Sequence, residues 1–309
     1  MMGRLSAQEA LFYQLRLEDF IPPDHLLRRI DQVLCFDDLR PQLAALYSPV
    51  GRPSIDPELM IRMLLVGYLY GIRSETRLCE EVHLNLAYRW FCRLGFEGRV
   101  PDRSSFSKNR HGRFAQGDVL RSVFEMVLRC CMDAGLVGGA GALVDGSTVE
   151  ADANRDKRAA PGDLQAAWRM ADDVTRPVRA YLEQLDAEAS EEREGPVHPA
   201  PKVISQTDPQ AAWSTKDGPG RFSYETNYLV DDQNAIIVDV EATPARLSQE
   251  IVAAKAMLER SRDRVGFAPA SLAADKSYGT APFLAWLLER NVTPFVPVLD
   301  RKGQTDGKL

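Results

Sequence analysis

Two aspartates at the ends of short apolar runs are the residues of this chain best suited to chemistry. Asp145 lies in Ala142-Leu143-Val144-Asp145-Gly146-Ser147-Thr148-Val149, and Asp275 in Ala270-Ser271-Leu272-Ala273-Ala274-Asp275-Lys276-Ser277-Tyr278-Gly279. A carboxylate carried on a buried strand is costly unless something compensates it, and a divalent cation is the usual compensation. Two such strands, remote in sequence, can build a divided metal site for phosphodiester chemistry, with two ions about 3.5–4 Å apart. Oxygen ligands of this kind select Mg2+ or Mn2+ and require neither imidazole nor thiolate. The plainer alternative is a solvated Asp at each strand exit.

Other metal chemistries fit less well. The five cysteines (Cys35, Cys79, Cys92, Cys130, Cys131) follow no C-x-x-C spacing, and the four histidines (His25, His83, His111, His198) are scattered. Reduced thiols in a cytosolic protein are expected. The longest apolar stretch, Met63 to Ile72, is far shorter than the ~20 residues of a membrane span, and the first residues lack the apolar core of a signal peptide. A cytoplasmic location without membrane association follows. The net charge of −6 argues against a nucleic-acid partner at first sight. Its distribution argues otherwise: Arg99, Arg103, Lys108, Arg110 and Arg113 face only Asp102 within their segment, while acid accumulates between Asp186 and Glu194. Such a basic stripe is compatible with DNA binding.

The elements that must position these residues fall into two groups. Residues 1–135 read as helices. Asp24 is placed to cap a segment bearing Leu26, Leu27, Ile30, Val33 and Leu34, and Asp56-Pro57-Glu58 starts a helix that runs to about Tyr70. Ser74 opens a helix with Leu78, Val82, Leu86, Trp90 and Phe91 on its apolar face. After a break from Gly95 to Pro101, Ser104 is placed to cap the basic segment, with Phe106, Arg110 and Phe114 on one side. A last helix from Asp118 to the Gly135 stop turns Val119, Val123, Met126, Val127 and Cys130 inward. Short helices with tight breaks resemble a helix-turn-helix domain; a plain helical bundle has the same pattern.

Residues 136–309 alternate differently. Gly138-Gly139-Ala140-Gly141 reads as a flexible joint, followed by a strand from Leu143 to Ala151. A charged, irregular insertion spans about 154–221, including a helical piece with Val178, Tyr181, Leu182 and Leu185. Strands at 223–230 and 235–241 flank a hairpin turn at Asp231-Asp232-Gln233-Asn234. A helix from Gln249 to Arg262, the Asp275 strand, a helix from Pro282 to Arg290 and a strand at 293–299 complete a mixed α/β order with parallel crossovers. Arg155, Lys157 and Arg158 are either backbone-tracking cations or ordinary loop charge. Trp168 and Trp213 read as packing residues. Glu150 and Asp152 fall on the strand face opposite Asp145.

Several segments are similar to one family. Gly51-Arg52-Pro53-Ser54-Ile55-Asp56-Pro57, with Leu64 to Glu75, resembles the amino-terminal domain of transposases from IS5/IS1182-type insertion sequences. Val100-Pro101-Asp102-Arg103-Ser104-Ser105-Phe106-Ser107-Lys108-Asn109-Arg110, Leu143 to Ser147, Tyr224 to Tyr228 and Ala274 to Gly279 resemble further motifs of that family, in its order. The resemblance implies an α/β, RNase H-like mixed-sheet catalytic domain preceded by an all-helical DNA-binding domain. It also implies a DDE triad working with Mg2+ (or Mn2+) on double-stranded DNA, both the element's terminal inverted repeats and the target. Asp145 and Asp275 match the two aspartates. Arg103, Lys108, Arg110 and Arg113 become candidates for binding the repeats, and Lys276 for reaching a phosphate. Synapsis of two ends implies a homodimer, and a bacterial transposase would be nucleoid-associated.

No position matches the family's glutamate, which lies on a helix beyond the strand at 295–298. Glu289, Asp300 and Asp306 are unconvincing substitutes, and the sequence ends at Leu309. The catalytic domain is therefore expected to be incomplete, its activity very low and one sheet face uncovered. A DNA-binding remnant that inhibits transposition, and a nuclease without joining activity, are the alternatives.

Overall fold

The computed structural model describes residues 16–36, 54–112, 119–160, 201–215, 218–244 and 249–298, with positions 41, 44, 47, 114, 163 and 178 besides. The chain divides into two compact units, Met1–Cys130 and Cys131–Leu309.

The first unit contains α1 (Leu26–Val33), α2 (Pro57–Leu69), α3 (Glu75–Leu84), α4 (Leu86–Phe91), α5 (Arg103–His111) and most of α6 (Val119–Asp133). Its α2 is enclosed almost all round, burying Met60, Ile61, Met63, Leu64 and Val66 against Leu27, Leu78, Val82, Phe91 and Phe106. A helix apolar on every side belongs at the centre of a bundle. Asp56 caps it as expected, accepting from Glu58 N at 2.8 Å, with proline in the first turn where no helical N–H is lost.

Local chemistry departs from expectation at four places. His25, rather than Asp24, caps α1: its Nδ1 accepts from Leu27 N at 3.2 Å, because the helix begins one residue too late for Asp24 to reach. The expected helix after Ser74 is two helices. Asn85 Oδ1 accepts from Ala87 N at 2.9 Å and Tyr88 N at 3.2 Å, ending α3 and starting α4 in one residue. Asp102, rather than Ser104, caps α5, accepting from Ser105 N at 3.0 Å. The Ser104 hydroxyl is itself spent on Asp102 Oδ1 at 2.6 Å. Val127 is exposed, whereas Val119, Val123 and Leu128 of the same helix are buried. Asp118 lies outside the described residues. The Gly95–Pro101 break is held by the buried Arg89, which donates to the carbonyls of Gly95, Phe96 and Gly98. The cysteines form no disulfide; burial pushes the Cys92 thiol up to about 12, with Arg62 pulling the other way.

The second unit is built on β1 (Ala142–Glu150), β5 (Arg221–Asp231), β6 (Ile237–Pro244), β7 (Ser271–Ala274) and β8 (Thr293–Phe295), with α7 (Gln249–Val265) and α8 (Ala281–Glu289) as crossovers. Strands follow the spatial order β6-β5-β1-β7-β8. The β6–β5 and β5–β1 pairs are antiparallel, and β1–β7 and β7–β8 are parallel. This is the mixed sheet of an RNase H-like domain. Within the expected irregular insertion, β2 (Arg158–Ala159) pairs with β3 (Ile204–Ser205), and β4 (Ala212–Ser214) joins the main sheet beside β5. Such short pairings leave no alternation to read in the sequence. Val178 is buried; Tyr181, Leu182, Leu185 and Trp168 lie outside the described residues.

The glycine segment before β1 is fastened rather than free. Asp231, fully buried, accepts from Gly138 N and Gly139 N through Oδ1 and from Gln233 N and Asn234 N through Oδ2. One carboxylate thus ties the entry of β1 to the β5–β6 turn, and Gly139 adopts φ +69°, which favours glycine.

Strand alternation gives the sheet two unlike faces. One carries Val144, Leu229 and Leu272, all buried, and α7 packs on it; Arg260 of α7 bonds Asp239 of β6 at 2.8 Å. Beside α7 lies α8, joined through Lys255 over the Trp286 ring and Arg290 to Glu259. The other face carries Leu143, Val149, Ile237 and Phe295, exposed by 41–65%.

Candidate active site

In the parallel β1–β7 ladder, Ala142 stands opposite Leu272, Leu143 opposite Ala273 and Val144 opposite Ala274. One position beyond the last pair come Asp145 of β1 and Asp275, the first residue after β7. Asp275 keeps an extended backbone (φ −72°, ψ 177°) before the chain turns into a 3-10 helix at Lys276–Tyr278. Neighbouring strands lie about 4.8 Å apart, so the two carboxylates leave adjacent strands side by side. Alternation directs both to the face that α7 and α8 do not cover.

Both aspartates are exposed, which overturns the expectation that burial demands a compensating ion. What favours a cation here is the juxtaposition of two like charges. Gly146 N donates to Asp145 Oδ1 at 2.8 Å. Ser277 donates to Asp275 Oδ1 twice, from N at 2.8 Å and from Oγ at 2.6 Å. Each Oδ1 is thus engaged, while among the described residues neither Oδ2 receives a hydrogen bond and neither carboxylate has a basic partner. Two uncompensated oxygen donors on adjacent strands suit a hard divalent cation. Among the described residues, however, no group of three or more His, Cys, Asp or Glu side chains is gathered closely enough to hold a metal ion.

Sequence reasoning missed two neighbours. Glu250, in the first turn of α7, meets Ser277 Oγ at 2.9 Å, so Ser277 lies between two carboxylates. Tyr278 is 1% exposed, and its hydroxyl has no hydrogen-bond partner among the described residues. Burial raises its pKa, with Glu250, Asp275, Asp145 and Glu225 each adding to the rise in that order. A serine two residues after Asp275 was a readable signal for the turn; the approach of α7 was not.

Of the other expected residues, Lys276 is exposed without an ion pair among the described residues. Glu289 ends α8, and Asp300 and Asp306 lie outside the described residues. Glu150 is on the opposite face from Asp145, its register partner being Ser223. In the helical unit, Arg103 and Lys108 are exposed on α5, whereas Arg110 Nη1 lies 3.2 Å from Glu75 Oε1 of α3 and is partly a structural ion pair. Arg113 lies outside the described residues. Among the described residues, no helix is long and apolar enough to cross a membrane.

Two family models match the chain. One, described as Transposase domain (DUF772), covers residues 15–112, and the other, described as Transposase DDE domain, covers residues 141–308. The second match spans more than half of the sequence, and the chain belongs to that DDE family. The two domains in this order mark an insertion-sequence transposase of the IS5/IS1182 type. No solved structure matches the chain. The family implies action on DNA, and its DDE domain typically works with a divalent metal.

Proposed function

We propose that this transposase binds the terminal inverted repeats of an insertion sequence, cleaves DNA there, and joins the freed 3′-hydroxyl to target DNA. The observation that carries this reading is the β1–β7 register, which sets Asp145 and Asp275 side by side on an open sheet face. Their Oδ2 atoms, which accept no hydrogen bond among the described residues, would hold Mg2+ or Mn2+. When bound, such ions supply Lewis-acid stabilisation of the attacking and leaving oxygens. The chain's own residues do the positioning. Gly146 N and Ser277 fix one oxygen of each carboxylate, and the exposed Lys276, next in sequence to Asp275, meets a backbone phosphate. Arg103 and Lys108 contact the repeats from α5, with Arg113 in the same basic stripe; Arg110, already bonded to Glu75, contributes less. Pairing of two ends calls for a homodimer.

The test is Mg2+-dependent nicking and strand joining on a supercoiled plasmid carrying the element's ends. Asp145→Asn and Asp275→Asn should each abolish both while leaving end binding intact. Cleavage that survives either substitution would refute the assignment. End binding by the unaltered chain without any cleavage would favour the non-catalytic, inhibitory reading, and nicking without joining the nuclease reading.

A further inference from the structure

The Asp145 face of the sheet continues past the aspartates to a second feature. Val149 of β1 stands opposite Tyr224, and Trp213 of β4 stands opposite Phe222. By alternation, Tyr224, Phe222 and Trp213 all lie on the Asp145 side. The Trp213 indole is pinned there. A Cβ added to Gly220 would come within 2.4 Å of its Cζ2, so the ring rests on the Gly220 backbone. Phe222 meets it edge-on at 5.1 Å and 75°. The Arg158 guanidinium lies 4.9 Å and that of Arg155 5.9 Å from the ring centroid.

Both arginines are exposed, and neither has a carboxylate partner among the described residues. Glu150, the nearest strand acid, pairs instead with Arg221 at 3.9 Å. A guanidinium stacked on an aromatic ring has given up side-chain freedom already and keeps its N–H fork available for an oxyanion. We propose that Arg155 and Arg158, held against the pinned indole of Trp213, form a phosphate clamp for DNA that runs from Asp145 along this side of the sheet. The inference rests on the reading that Asp145 and Asp275 act on DNA. Trp213 is level with Ala151 and two strands across from β1, so at about 3.4 Å per residue and about 4.8 Å between strands it lies about 22 Å from Asp145. That is about six or seven steps of a duplex rising 3.4 Å per step, so the clamp grips the substrate away from the bond that breaks and sets its direction. Phosphate contacts of this kind orient the substrate without reading its sequence.

The experiment is fluorescence anisotropy of the full chain with a labelled 30-base-pair duplex in EDTA, across a range of salt. Arg155→Ala with Arg158→Ala should reduce the slope of log K against log salt by about 1.8, the value for two lost phosphate contacts. The double Arg→Lys variant keeps the charge and should hold that slope while binding several-fold more weakly. Gly220→Ala, which displaces the indole without altering charge, should also weaken binding. An unchanged slope in a folded double-alanine chain overturns the clamp, and so does full affinity in the double-lysine chain. Because the measurement excludes metal, it stands apart from the cleavage test. A clamp response alongside absent cleavage would retain the contact and discard the catalytic reading.

Discussion

Arg62 of the helical unit and the Asp145–Asp275 pair of the sheet unit put charge to opposite uses. In the helical unit the guanidinium of Arg62 is 2% exposed and fully engaged. It meets Glu58 Oε1 and Asp31 Oδ1, both at 2.7 Å, donates to Phe91 O, and lies between the rings of Phe36 and Phe91. In the sheet unit Asp145 and Asp275 are exposed, adjacent and without a basic partner among the described residues. A buried charge surrounded by partners is committed to the fold, since removing one partner strands the others. Paired exposed charges of one sign, each with one oxygen held in a local turn, add little to the fold and keep the other oxygen for a ligand.

Substitution can break this contrast, beginning where the effect is largest. Arg62→Ala should destabilise the helical unit by about 3–5 kcal/mol, because Asp31 and Glu58 lose their buried counter-charge. Asp145→Asn with Asp275→Asn should shift stability by no more than about 0.5 kcal/mol. Denaturant unfolding of both variants decides it; comparable losses in the two would erase the distinction. Ser277→Ala sharpens the comparison within the sheet unit. Losing both the Oγ bond to Asp275 and the link to Glu250 should weaken Mn2+ binding about tenfold, the lower end for an outer-shell partner. Calorimetric titration with Mn2+ reads this, and wild-type affinity would show the brace to be idle.

The smallest effect concerns Asp102. Hydrogen bonds from the Ser104 and Ser105 hydroxyls, then the Ser105 amide, hold its carboxyl well below the usual range. A depressed folded-state pKa contributes stability above the unfolded value, about 3.9, and that contribution fades as pH falls toward the folded value. Unfolding midpoints of the wild type should therefore drop on acidification below about pH 4 more steeply than those of Asp102→Asn. Parallel curves would contradict the cap's role.

What could be read from the sequence follows the same division between near and far. Asp56-Pro57, Ser74 and the Gly135 stop were legible because a cap is decided by residues within one turn. The α5 cap was misplaced because Asp102 and Ser104, both polar and close in sequence, compete, and only geometry shows that the Ser104 hydroxyl is a donor to Asp102. The strands carrying Asp145 and Asp275 were legible as apolar runs, but the sequence could not decide between a buried and a solvated carboxylate at their ends. Leu143 and Val149 are apolar on the open face, so no alternation marks which side is wet. Glu250 and the Arg155–Trp213–Arg158 cluster come from segments joined only by the tertiary fold.

The parallel β1–β7 pairing also governs when the site exists. Each helix of the first unit closes its own hydrogen bonds within a turn, whereas β1 must wait for the hairpin and α7 to be synthesised before β7 can dock beside it. Ordering so long an intervening segment slows folding more than it costs in equilibrium stability. A nascent chain therefore carries Asp145 while Asp275 is still unmade, and the paired carboxylates cannot form until synthesis has passed residue 275.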